Sequence, residues 1–206
     1  MTPHDEVIEW LLEPDNPPVR YLTLANLLGR PATDLEVWRT RAHLMDYEVT
    51  QAILRRFREF CDDEARVYWK YKGKLWQLIF LGQFLADGQD PRIARLCASI
   101  LAERQWVMRA GAQCLTANVL AALTRLGYGE HPRAVEEREA LARRVNAEGG
   151  IKCAVMDYSL LPRCYMAQPK LLLCFTQVPP ENRSAGIRAA IKRLAGNLVE
   201  HQVFLY

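Results

Sequence analysis

The sequence predicts an all-α protein, a single domain over residues 1–206 built from stacked antiparallel helical hairpins. Three observations predict it: apolar residues recur at helical spacing along most of the chain, sustained strand alternation is missing, and one turn pattern returns about 40 residues later. Val7, Ile8, Leu11 and Leu12 share one helical face. Val19, Leu22, Leu27 and Leu28 repeat the arrangement, opened by Pro17-Pro18 and closed at Gly29-Arg30-Pro31. Further amphipathic segments run roughly over 34–44, 48–60, 74–86, 91–104, 116–127, 132–146, 168–177 and 184–203. Asp87-Gly88, Gly127-Tyr128-Gly129, Gly149-Gly150 and Pro179-Pro180 separate them as helix stops or turns.

The recurring turn sets the architecture. Phe84-Leu-Ala-Asp-Gly88-Gln-Asp-Pro91-Arg92 matches Arg125-Leu-Gly-Tyr-Gly129-Glu-His-Pro132-Arg133 at an offset of 41, since 133 − 92 = 41. In each copy an apolar helix ends at a glycine turn and proline opens the next helix. Leu171 to Val178, Pro179-Pro180 and the helix through Ile187 and Ile191 form a looser third copy, and Asp15 to Arg20 resembles its turn-helix part. Two helices per period describe either a short α-solenoid or a partial α/α toroid. About five hairpins fit, with Trp76–Leu85 and Thr116–Leu126 expected on the inner layer.

Composition bounds the functional classes. The chain is 50% hydrophobic and 25% charged, ordinary for a globular protein, and its 27 Lys+Arg and 24 Asp+Glu are interspersed to a net charge of +3. That balance argues against nucleic acid or an anionic membrane as partner. Tyr68-Trp-Lys-Tyr-Lys72 interleaves bases with aromatic rings, but one five-residue patch on a nearly neutral chain does not make a strand-binding surface. His4, Asp5, Glu6 and Glu9 stand where a signal peptide needs positive charge, and the apolar run 75–86 is short and broken by Gln77 and Gln83. A cytoplasmic protein with no transmembrane segment is the expectation. GxSxG, HExxH, GxxxxGK[ST] and a strand-borne GxGxxG are all missing.

The cysteines carry a second correspondence. Gly111-Ala-Gln-Cys114 and Gly150-Ile-Lys-Cys153 both read GxxC, while Cys114-Leu-Thr-Ala-Asn118 and Cys164-Tyr-Met-Ala-Gln168 both read C-x-x-A-amide. No two of the six cysteines have CxxC spacing, so any metal site draws its ligands from distant stretches.

Together with Asp15-Asn-Pro-Pro-Val-Arg-Tyr-Leu-Thr-Leu-Ala-Asn-Leu-Leu-Gly29, Tyr68-Trp-Lys-Tyr-Lys-Gly-Lys-Leu-Trp-Gln77 and Leu161-Pro-Arg-Cys164, this pattern resembles the terpenoid cyclase/protein prenyltransferase α/α-toroid superfamily. The likeness is to a bacterial squalene-cyclase-like branch without assigned chemistry. The resemblance implies that the first helices of successive hairpins line one rim. Cys114, Cys153 and Cys164 would then converge as zinc ligands, with Asp157 as the fourth and His201 as its alternative. It also implies a pocket for a hydrophobic, isoprenoid-like ligand, for which Tyr68, Trp69, Trp76, Trp106 and Tyr165 are the candidate lining. The bland readings stand beside these: cysteines as small core residues and aromatic rings as filler between hairpins. The DxDD acid and the DDxxD magnesium motif of the superfamily's cyclases are missing, and Asp62-Asp63-Glu64 reads as a solvated turn. Three functions follow from the sequence: a non-catalytic ligand- or protein-binding module with a zinc site, a metal-dependent enzyme on a hydrophobic substrate, or a HEAT-like protein-binding scaffold. The lack of acid motifs favours the first.

Overall fold

The repeated turn is a capping device. The residue before each proline caps the coming helix: Asp90 Oδ1 accepts from the Arg92 amide at 2.9 Å, and His131 Nδ1 accepts from the Arg133 amide at 3.2 Å. The preceding helix is closed by a six-to-one hydrogen bond in both copies, from the Ala86 amide to the Leu81 carbonyl (3.0 Å) and from the Tyr128 amide to the Leu123 carbonyl (2.8 Å). The residue between lies in the left-handed region, Gly127 at φ 89° and Leu85 at φ 56°. Glycine adopts this conformation freely, whereas leucine there costs roughly 1–2 kcal/mol.

The structure, a computed structural model, describes residues 3–61, 71–102, 113–151 and 164–200. All regular structure among them is helical: α1 (Pro3–Leu11), α2 (Pro17–Leu22), α3 (Leu35–Ala42), α4 (Glu48–Cys61), α5 (Lys74–Gln83), α6 (Pro91–Ala102), α7 (Gln113–Arg125), α8 (Pro132–Glu148), α9 (Gln168–Thr176) and α10 (Ala185–Glu200). The predicted helix over Val19 to Leu28 is interrupted, because α2 widens into a π-helical turn, Thr23–Leu27. There the Leu28 amide reaches back five residues to the Thr23 carbonyl at 2.9 Å, while Thr23 Oγ1 bonds the Val19 carbonyl at 2.9 Å.

Residues one period apart touch. A Cβ on Gly82 would fall 2.7 Å from Ala122 Cα, and one on Gly88 would fall 1.8 Å from the Leu126 carbonyl oxygen. Tyr128 Oη donates to the Gly88 carbonyl at 3.0 Å. These contacts advance together along both chains, so α5 and α7 lie parallel, backbone close to backbone. The Gln177 side-chain amide, oriented by its partners, donates to the Ala121 carbonyl and accepts from Arg125 Nε, each at 3.0 Å, which ties the end of α9 to the end of α7. Helices α5, α7 and α9 thus form a contiguous row, and the expected inner segments lie next to each other in it. Against this row pack α6, α8 and α10. Between α8 and α10, Ser184 Oγ donates to Glu139 Oε2 (3.1 Å), Asn146 Nδ2 to the Gly186 carbonyl (2.9 Å) and Asn197 Nδ2 to the Gly149 carbonyl (3.1 Å).

One apolar core runs from Ile53 on α4 to Leu194 on α10, with Leu78, Leu96, Leu120, Leu123, Leu171 and Phe175 fully enclosed. Leu24, Val37 and Leu44 are buried outside that cluster. Gly88→Ala should cost about 3 kcal/mol and Gly82→Ala about 1–3 kcal/mol, because the new methyl group meets backbone. Gly196→Ala, on α10 with nothing within 4 Å of its Cβ, should stabilise by about 0.5–1 kcal/mol. Urea titration of the three variants measures the order.

Candidate functional site

Because the C-terminal ends of α5, α7 and α9 are level and the helices parallel, their N-terminal ends share the opposite end of the row. The register that sets Gly82 on Ala122 also sets Lys74 level with Cys114. The Gln177–Ala121 contact brings Gln168 to the same level within about a turn. Several polar side chains are buried along these helices. Lys74 is buried, 5% exposed. Thr116 on α7 is buried as well. Gln168 is 0% exposed, and among the described residues neither its amide nitrogen nor its oxygen has a hydrogen-bond partner. Trp76 Nε1 is likewise buried and unpartnered.

The free cysteines divide by position. Cys97 on α6 and Cys174 on α9 are buried, and burial pushes both thiols up to about 12, so neither is a thiolate at neutral pH. Both are core residues. Cys114, at the start of α7, and Cys164, four residues before α9, are only partly buried at the margin of the core. The Cys164 amide donates to the Ile151 carbonyl at 2.7 Å, which anchors Cys164 to the end of the α8 region. Among the described residues no three His, Cys, Asp or Glu side chains form a metal-holding group. Cys153, Asp157 and His201 lie outside the described residues.

Of the expected aromatic lining, Tyr68, Trp69 and Trp106 also lie outside the described residues. Tyr165 is half-buried next to Cys164. Trp76 belongs to a ladder of rings that follows one face of α5: Tyr71 to Trp76 at 4.8 Å, Trp76 to Phe80 at 6.2 Å, Phe80 to Phe84 at 6.4 Å, and Phe84 to Tyr47 at 5.6 Å between centroids. Residues 76, 80 and 84 are four apart, so the ladder is what helical spacing dictates, and each ring pair contributes roughly 0.5–1.5 kcal/mol beyond burial.

A cleft that the sequence did not announce opens between α2 and α3. It encloses about 600 Å³ and is lined by Pro14, Pro17 and Leu35 together with Arg20, Arg30, Asp34, Glu36, Arg39, Thr40 and His43. Gly29, at φ 63°, turns the chain after the π-helical segment and delivers Arg30 to Asp34, 3.0 Å away. Glu36 bridges two guanidinium groups, Arg20 at 2.5 Å and Arg30. Hydrogen bonding to Glu36, helped by Asp34, raises the Arg30 pKa against desolvation. Asp34 caps α3 by accepting from the Glu36 and Val37 amides. Desolvation acts to raise its pKa, but those amides and Arg30 outweigh it and hold the carboxyl below the usual range. The three arginines are nine or ten residues apart in sequence and form no motif, so only the turn at Gly29 makes them neighbours.

Comparison with protein-family models, curated proteins and solved structures finds no match to this chain.

Two measurements check the placement of these groups. Gln168→Met keeps the volume and removes an unpaired buried amide, so it should stabilise the chain by about 1–2 kcal/mol. A loss of stability in urea would mean that the amide is paired in solution. Iodoacetamide at pH 8 should modify Cys114 and Cys164 well before Cys97 and Cys174, whose peptides become labelled only under denaturing conditions; mass spectrometry reads the order.

Proposed function

We propose that this chain is a non-catalytic binding module, an open stack of helical hairpins on the plan of the α/α-toroid superfamily, with its ligand end at the shared N-terminal end of α5, α7 and α9. The observation that carries the reading is Gln168. A fully buried amide with both ends unpaired costs roughly 1–3 kcal/mol, and proteins keep such groups where something beyond the chain satisfies them. Trp76 on α5 supplies a buried indole N–H for which the described residues offer no acceptor. Aromatic surface continues from Trp76 along α5, which suits a ligand with a polar head and an apolar body.

Zinc belongs to the same proposal. Cys114 and Cys164 differ from the buried pair in being half-exposed near the starts of neighbouring helices, and with Cys153 and Asp157 they would make a Cys3Asp set. A site of that kind would tie α7 to the segment before α9, so metal binding would add to folding stability. Cobalt(II) titration of the apo-protein is the test. One equivalent should produce a thiolate-to-metal charge-transfer band, Cys114→Ser and Cys164→Ser should each abolish it, and Cys97→Ala should leave it intact. A wild-type chain without that band refutes the zinc site and leaves the cysteines as core residues.

A further inference from the structure

The cleft between α2 and α3 has no place in the reading above, and its charges do not cancel. Arg20 and Arg30 are engaged by Glu36 and Asp34. Arg39 lines the same cleft, and no ion pair with it occurs among the described residues. His43 follows one helical turn later on the same face, its Nδ1 3.6 Å from the exposed Asp46. Pro14, Pro17 and Leu35 line the cleft too, and Leu35, one turn before Arg39 on the same face of α3, is 58% exposed. A volume of about 600 Å³ lies within the range of small-molecule sites and is far below what a folded partner needs.

We infer that this cleft binds a small organic anion, with its carboxylate or phosphate on Arg39 and His43 and its apolar body against Pro14, Pro17 and Leu35. The guanidinium fork of Arg39 matches either head group. The Arg20–Glu36–Arg30 bridge fixes the far wall, so the site is formed before the anion enters. Glu36, neutralised by two arginines, does not repel the anion as a bare carboxylate would.

The experiment titrates the full chain with phenyl phosphate, phenylacetate and the neutral benzyl alcohol, at about 0.15 M salt to screen non-specific attraction. Amide shifts in two-dimensional NMR report both affinity and place. Saturable binding of at least one anion is expected, with shifts concentrated in residues 14–43 and benzyl alcohol at least tenfold weaker. Whether the phosphate or the carboxylate binds more tightly identifies the natural head group. Arg39→Gln should weaken the anion roughly 10- to 100-fold, the range for one charge-assisted hydrogen bond, and Arg39→Glu should abolish binding. Arg39 is exposed, so both variants should retain the wild-type helical signal. The proposal is overturned by lack of saturable binding of either anion, by equal binding of benzyl alcohol, by shifts outside residues 14–43, or by unchanged affinity in a folded Arg39→Gln. A failure here leaves the α5–α7–α9 end untouched, since none of its residues lines this cleft.

Discussion

The close approach of α5 to α7 is the constraint on which the rest of the fold depends. Gly82 lets one backbone lie against Ala122, and Gly88 lets the turn after α5 meet the Leu126 carbonyl. Those two contacts fix register as well as distance, and Tyr128 locks it with a hydrogen bond to Gly88. Once α7 is set on α5, α9 follows through Gln177 and Arg125, and the outer helices close over the row. Burial lowers the Arg125 pKa, yet its Nε still finds the Gln177 oxygen, so the tie is neither exposed nor orphaned. A larger side chain at either glycine would push apart two helices that carry much of the buried core.

Much of this architecture was legible in the chain. Helical boundaries fell within a few residues of those expected, because apolar periodicity, prolines at helix starts and glycines at helix stops are local signals. The offset of 41 was legible as a repeat, and its physical content is direct contact between residues 38 to 40 apart, Gly82 on Ala122, Gly88 on Leu126 and Tyr128 on Gly88. Two local features were not legible. Leu85 takes a left-handed conformation where the other copy has Gly127, so the alignment slips by one residue at that point. The π-helical turn Thr23–Leu27 looks like an ordinary amphipathic helix in sequence, since Leu24, Leu27 and Leu28 fit either winding.

The candidate sites were less legible, for a reason specific to side chains. C-x-x-A-amide marked Cys114 and Cys164 as equivalent, and with them Asn118 and Gln168, but only tertiary burial reveals that the Gln168 amide lacks partners among the described residues while Asn118 lines the small pocket between α5 and α9. His43 is exposed, and nothing in the sequence shows that Arg39, one turn earlier, faces the same cleft. Charge counted along the chain averages to nearly nothing. The surplus exists only in three dimensions, after Glu36 and Asp34 have chosen Arg20 and Arg30 over Arg39.

The hydrogen bond from Tyr128 to Gly88 spans 40 residues, and the one from Asn146 to Gly186 spans 40 more. During synthesis at about 5–20 residues per second, each unit therefore waits roughly 2–8 s for the residues that complete it. Every newly made hairpin leaves the ribosome with a sticky flank, and the next hairpin is its first and nearest cover. The repeat length is thus also a clock, which sets how long each flank stays open to the wrong neighbour.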